Sequence, residues 1–409
     1  MKRLLHSLFG LLALASTASG VEGPLKVFIL AGQSNMQGHA DVSTLDYLAD
    51  DPSTAGLLND IRAEDGSFRV IERVRITSVG CAGDGWSDVI EQVGPLTAGF
   101  GASTEKIGPE LTFGITMARS IDGPILIIKT AWGGRSLMTD FRPPSAGPRV
   151  FSQFIRDQWR ERGLDPDAEA ERHERELNGV FYRHMIEHVK QVLGDLPRVV
   201  PDYDPARGYE LAGFVWFQGF NDLVDGWSYP DGDKPDGYRE YADLLGHLIR
   251  DVRRDLDAPQ LPVVIGVMGI GGADDEIDAS QRNFRAAQAS VAELPEFRDN
   301  VIAVPTAPFW SDELGAIDRK HEQVGQQRWY LESKHPEHAN ADGKMSAEEI
   351  DASVRKYEQE LISPAEAALW KRGASNGGYH YLGCARTLAA VGRAFAQANL
   401  ELMKKAETR

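Results

Sequence analysis

Alternating apolar strands and amphipathic helices predict an α/β fold, a three-layer α/β/α sandwich built on a parallel sheet. Two observations carry this. Short unbroken apolar runs recur along the chain, as strands buried on both faces require. Helical patterns separate them, as parallel pairing through crossovers demands. The runs are Leu25–Leu30, Ile125–Lys129, Phe214–Phe217, Val263–Val267 and Val301–Val304, with Val74–Ile76 a weaker one. The helical patterns are Thr112–Ser120, Asn178–Leu193, Tyr238–Asp255, Arg282–Ala292 and Cys384–Lys404.

In such a sheet the chemistry gathers at the carboxyl ends of the strands. That puts the segments after residues 30, 129, 217 and 267 on one rim. Residues 139–175 and 311–372 are polar and charged and carry no strand pattern. They read as insertions decorating a single domain over residues 24–405.

The net charge of −17 argues against nucleic acid as a partner, because phosphate binding needs a basic patch. At the N-terminus, Lys2 and Arg3 precede the apolar run Leu8–Ala15, and the small residues Ala18-Ser19-Gly20 follow. This is the pattern of a secretory signal peptide over residues 1–20, too short to span a membrane. It predicts a secreted or periplasmic protein without a membrane anchor. Cys81 and Cys384 are the two cysteines. An exported protein permits a disulfide between them, and two buried thiols fit equally well.

Four rim segments hold residues suited to catalysis. The first strand runs into Ala31-Gly32-Gln33-Ser34-Asn35-Met36, where small residues allow a tight turn and expose a serine. The second strand ends at Trp132-Gly133-Gly134-Arg135, and paired glycines let backbone N–H groups approach a ligand. The third is followed by Gln218-Gly219-Phe220-Asn221-Asp222, where an asparagine amide can donate to a developing oxyanion. The fourth, Gly377-Gly378-Tyr379-His380, supplies a histidine just before the last helix.

Together these blocks resemble an SGNH hydrolase of the sialate O-acetylesterase-like branch, similar to carbohydrate esterase family six. The resemblance rests on Gly32-Gln33-Ser34-Asn35-Met36, Gly133-Gly134, Gly219-Phe220-Asn221-Asp222 and His380, in that order over most of residues 24–400. It implies a flavodoxin-like SGNH fold and a secreted serine esterase that removes acetyl groups from a carbohydrate. Ser34 matches the family nucleophile and His380 its general base. The N–H groups of Ser34 and of Gly133 or Gly134, with the Asn221 side chain, match the oxyanion hole; Gln218 is a second candidate there. No cofactor is required by this chemistry. The substrate expected is sialic acid or an acetylated polysaccharide.

One departure stands out. The superfamily places an aspartate three residues before the histidine, and this chain has Gly377 there. Asn376, a main-chain carbonyl or an acid from elsewhere must orient the ring. The loss of the aspartate supports a competing reading, a catalytically inactive carbohydrate-binding protein on the same fold. Retention of Ser34, Asn221 and His380 together argues for the enzyme.

Gln33, Glu110 and Arg135 are candidates to touch substrate. Glu110 reads equally as a helix-start carboxylate, and Arg135 and Arg142 as surface ion-pair partners. His184 and His188 have zinc-binding spacing on a helix but no third ligand. Residues 338–349 resemble an EF-hand loop, with oxygen side chains at Asn340, Asp342, Ser346 and Glu349 and a turn glycine at Gly343. His338 stands where the first aspartate belongs, so calcium is expected to bind there weakly or not at all.

Overall fold

The computed structural model describes residues 23–81 and 89–408, the side chains of residues 81 and 89 apart. The expected signal peptide lies outside the described residues, and so does the Cys81 side chain on which a disulfide would depend. Cys384 is fully buried.

Nine strands form among the described residues: β1 Leu25–Gly32, β2 Ala40–Asp41, β3 Ile71–Cys81, β4 Val89–Leu96, β5 Lys106–Ile107, β6 Ile125–Ala131, β7 Tyr209–Phe217, β8 Val263–Val267 and β9 Val301–Pro305. Seven make one sheet in the order β4-β3-β6-β1-β7-β8-β9, and β2 pairs with β5 in a separate ribbon. All neighbours in the main sheet are parallel except the β3–β4 pair at one edge. Helices flank the sheet, so the α/β architecture expected from the strand–helix alternation is the one observed.

The five strong apolar runs are β1, β6, β7, β8 and β9. β1 and β6 are buried nearly end to end because both faces are covered. The weak run at Val74–Ile76 is the inner part of the longer β3. β4 was not anticipated. It is an edge strand with Ile90 and Val93 exposed and with Pro95 near its end, a residue that edges tolerate. The polar stretch 311–372 contains three helices, Asp312–Glu332, Ala347–Leu361 and Pro364–Gly373. Residues 139–175 contain the helix Gln153–Glu161 and most of Pro166–Glu176. The last helix, Ala385–Glu407, buries an Ala-rich face against the helix Glu110–Ser120 and the sheet. No helix among the described residues is long and apolar enough to cross a membrane.

Crowding at the ends of β1 and β7 sets up the rim. A Cβ on Gly32 would meet the Phe217 carbonyl oxygen at 2.1 Å, so only glycine lets β1 end so close to β7. The backbone then crosses over. Gln33 N donates to Phe217 O, and Trp132 N donates to Gly32 O. Three rim loops are thereby tied at one point.

Candidate active site

Ser34 opens a single helical turn, Ser34–Gln37, directly after β1. The turn is held from below by a buried ion pair. Lys129 Nζ on β6 donates to the carbonyls of Gln37 and Phe100, each at 2.6 Å, and to Glu110 Oε2 at 2.7 Å. Glu110 Oε1 accepts from Gly108 N at 2.8 Å. Burial pushes the Lys129 ammonium below its ordinary pKa, while Glu110 acts the other way. This corrects the expectation of Glu110 as a substrate-touching residue: it is 0% exposed and engaged beneath the serine turn. Such a pair is worth most as a positioning device, since removing either partner strands a buried charge.

The glycine loop lies against the serine. A Cβ on Gly133 would sit 3.7 Å from Ser34 Cβ, and Gly134 has φ +70°, a left-handed conformation that favours glycine. Among the described residues, the N–H groups of Ser34, Gly133 and Gly134 donate no backbone hydrogen bond. All three follow the carboxyl ends of the neighbouring parallel strands β1 and β6.

Asp222 fixes this loop to the one after β7. Its carboxylate is fully buried and accepts from Leu137 N at 2.8 Å, Met138 N at 2.9 Å, Gln218 Nε2 at 2.6 Å and the Tyr229 hydroxyl at 3.1 Å. Burial raises its pKa to about 6, against the pull of those donors. The motif contained Asp222, but its bracing role depends on contacts some 85 residues away and was not legible in sequence.

Gln218 is corrected as an oxyanion donor. Its Nε2 already faces Asp222 Oδ2, Arg135 O at 3.0 Å and Gln33 Oε1 at 3.2 Å, and its Oε1 accepts from Tyr241. Both amide hydrogens are committed, so Gln218 braces the rim. Asn221, by contrast, is half-buried with no side-chain hydrogen bond among the described residues. Its backbone N–H donates to Gln33 Oε1 at 3.4 Å. Gln33 is buried, and its Nε2 has no hydrogen-bond partner among the described residues.

His380 sits in a strained turn. Tyr381 and Leu382 follow it with φ of +51° and +63°, unusual for side-chain-bearing residues. The strain is offset by burial: the Tyr381 hydroxyl accepts from Gly269 N at 2.7 Å and bonds Thr306 Oγ1 at 2.6 Å. Asn35 Nδ2 donates to Tyr379 O at 3.2 Å, tying the serine turn to the histidine loop. His380 Nδ1 lies 3.1 Å from Asn376 Oδ1, which also accepts from Gly377 N. Asn376 therefore occupies the position of an orienting group. An amide oxygen can only accept, so this contact places the proton on Nδ1 and leaves Nε2 as the basic nitrogen. Ser34 Oγ makes no hydrogen bond with His380 among the described residues. Catalytic contacts of this kind often close only around substrate.

His39 was missed by sequence reasoning. Its ring stacks on His380, with centroids 4.0 Å apart and planes 8° from parallel. Burial, then His380 and nearby lysines, lower its pKa to about 3. Burial and Lys106 lower that of His380 to about 4. Both rings are thus neutral near pH 7, and the stack is one of two uncharged imidazoles.

The remaining expectations are set aside on geometry. The Arg135 guanidinium packs over Phe181 of the helix Val180–Gly194 at 4.0 Å and lies 3.4 Å from Asp140 of its own loop. Arg142 donates to the carbonyls of Gly147, Met138 and Pro148 and is structural. His188 bonds Thr77 and His184 lies beside Glu187, and no metal-holding cluster of His, Cys, Asp or Glu exists among the described residues. In the EF-hand-like loop each of these oxygen side chains has a partner within the protein. Asp342 pairs with the Lys344 ammonium at 2.9 Å, Asn340 Oδ1 accepts from Met345 N, and Ser346 and Glu349 form the capping box of the helix that follows. Melting temperature is therefore expected to be the same in chelator and in added calcium; a rise with calcium would contradict this.

The sequence matches the family described as "Carbohydrate esterase, sialic acid-specific acetylesterase" over residues 24–306. No curated protein matches it. Among solved structures it is similar to a protein from Arabidopsis thaliana, at 17% identity and TM-score 0.36, covering 69% of this chain and 86% of that one. It is also similar to a carbohydrate acetylesterase from Xanthomonas citri, at 15% identity and TM-score 0.39, covering 68% of this chain and 49% of that one.

Proposed function

Because the chain belongs to the sialic acid-specific acetylesterase family of carbohydrate esterases, we propose that it is a secreted serine O-acetylesterase in which Ser34 and His380 do the chemistry. The observation that carries this reading is the convergence of three rim loops on Ser34, with His380 held against Asn376 on a fourth. The Ser34 hydroxyl proton passes to His380 Nε2 as Oγ attacks the acetyl carbonyl carbon. Negative charge on the carbonyl oxygen is met by the N–H groups of Ser34 and Gly133 or Gly134 and by the Asn221 amide. The carbon–oxygen bond to the sugar then breaks, and the sugar oxygen takes the proton from His380. A water molecule gives its proton to His380, attacks the acyl-serine, and releases acetate with Ser34 restored. Gln33 is a further candidate to hold the sugar, through its unpartnered Nε2.

The test is acetate release from 4-nitrophenyl acetate and from a panel of acetylated sugars. Release from both supports the reading, and release from neither removes it. Asn221→Ala should lower kcat by about 10²–10³-fold if the amide meets the oxyanion. An effect on KM alone would place Asn221 in ground-state binding instead.

The pH profile follows from the histidine. Only neutral His380 accepts the serine proton, and its lowered pKa of about 4 keeps it neutral well into acid. kcat/KM should hold level as pH falls from neutrality and drop with an apparent pKa near 4. Asn376→Asp puts a carboxylate beside the ring, favours imidazolium, and should move that limb upward. A limb near 6 that Asn376→Asp leaves in place would point to Asp222.

A further inference from the structure

We propose that His39 is a positioning residue for the base: its ring, laid face to face on His380, fixes the plane of that imidazole and takes over part of the role of the carboxylate that the histidine loop lacks. The proposal rests on the reading of His380 as general base. The His380 ring is held at one edge, where Nδ1 meets Asn376 Oδ1 at 3.1 Å. A single hydrogen bond leaves the ring free to swing about the line from Nδ1 to Oδ1, and that swing carries Nε2 through an arc. A flat neighbour removes this freedom. His39 is such a neighbour, with centroids 4.0 Å apart and planes 8° from parallel. Tyr379, tilted by 59° and 49% exposed, offers no matching face. Edge and face together define the tautomer and the plane.

His39 is itself fixed, and by the segment that carries the nucleophile. Gly38 N donates to Ser34 O at 2.8 Å and closes the serine turn just before His39. Gly38 has φ +94°, and a Cβ there would lie 2.2 Å from Gly108 Cα, so glycine is required where the chain passes from the turn to the ribbon. Ala40 and Asp41 then pair with Ile107 and Lys106 as β2 and β5. Lys106 Nζ reaches back to 3.5 Å from His39 Nδ1. An ammonium only donates, so Nδ1 of His39 accepts. The ribbon is also fastened to the histidine loop: Asp41 N donates to Ser375 Oγ at 3.0 Å, and Ser375 Oγ donates to Gly383 O at 2.8 Å. One short stretch, Ser34 to Asp41, therefore sets both the nucleophile and the plane of its base.

The surroundings of the pair suit such a stack. Lys106 on β5 faces both rings, Lys129 on β6 acts on His39, and Tyr379 packs on His380 from its own loop. The two lysines oppose an imidazolium, and burial opposes it more. Two uncharged rings can lie face to face without repulsion. Each also screens one face of the other from water, so the loss of His39 would open His380 to solvent as well as free its plane.

The experiment compares wild type, His39→Ala, His39→Leu and His39→Phe by kinetics on 4-nitrophenyl acetate across pH and by NMR of the ring nitrogens. His39→Ala should lower kcat about 10²-fold with KM little changed, because a displacement of about 1 Å costs that much. His39→Leu fills the space without a flat face and should behave like the alanine variant. His39→Phe restores the face and should recover most of the rate. The acid limb of kcat/KM should move upward from about 4 in His39→Ala, as water reaches His380, and stay in place in His39→Phe. An unchanged kcat in His39→Ala, an effect on KM alone, or a loss that phenylalanine does not recover overturns the proposal. Equal recovery by leucine also overturns it, since space filling would then suffice. The NMR arm needs no turnover, and the His380 signals are assigned by their absence from His380→Gln. Wild type and His39→Phe should show one tautomer with the proton on Nδ1, and His39→Ala and His39→Leu a mixture. The same tautomer in all four overturns the positioning role even where acetate is released. The expected spectra from a wild type that releases no acetate would support the stack while removing the esterase reading.

Discussion

Ser34→Ala is expected to lower acetate release by roughly 10⁴-fold or more while leaving the melting temperature close to that of wild type. The hydroxyl is the only group lost. The turn that carries it is fixed by backbone contacts, by the Gly32–Phe217 approach and by Lys129 beneath it. None of these uses Oγ, so structure and chemistry should separate cleanly. Residual turnover is expected because the oxyanion donors remain. A variant that keeps a tenth or more of wild-type activity would remove Ser34 from the mechanism.

His380→Ala is expected to cost a similar factor, and the double variant Ser34→Ala/His380→Ala little more than either alone. Nucleophile and base act as a unit, so once one is missing the other has nothing to do. Additive losses would show that His380 works independently of the serine. The variant also removes the partner of the His39 stack. Circular dichroism and melting temperature should accompany the rates, and a large fall in stability would call for His380→Gln as the second variant.

Much of this architecture was legible in the sequence, for identifiable reasons. Strands buried on both faces, such as Ile125–Ala131, betray themselves as unbroken apolar runs. Their carboxyl ends point to the rim without further knowledge. β4 escaped because it lies at the sheet's edge, half in solvent, and needs no such run. Glu110 escaped for a different reason. At a helix start a carboxylate has a sufficient local explanation, and only the register of β6 reveals the ammonium facing it. His39 shows no local signal for a stack on a residue 341 positions later. The EF-hand-like loop shows the converse. Oxygen side chains at ligand spacing are also those that cap helices and close turns, and here Ser346 and Glu349 cap the helix.

Asn376 shows the same limit at the centre of the site. A pattern that expects an aspartate three residues before the histidine finds Gly377. The left-handed residues Tyr381 and Leu382 fold the loop back, and the neighbouring asparagine meets the ring instead. An amide orients Nδ1 but lends no negative charge to the imidazolium. That accords with the low pKa of His380 and predicts a weaker base that stays unprotonated in acid.

The most direct test of the central claim is covalent labelling with diethyl 4-nitrophenyl phosphate, followed by peptide mass mapping. The account predicts one diethylphosphoryl group per chain, on Ser34, appearing in step with the loss of esterase activity and absent from Ser34→Ala. Activity that survives the reagent, or inactivation with the label on another residue, would contradict it.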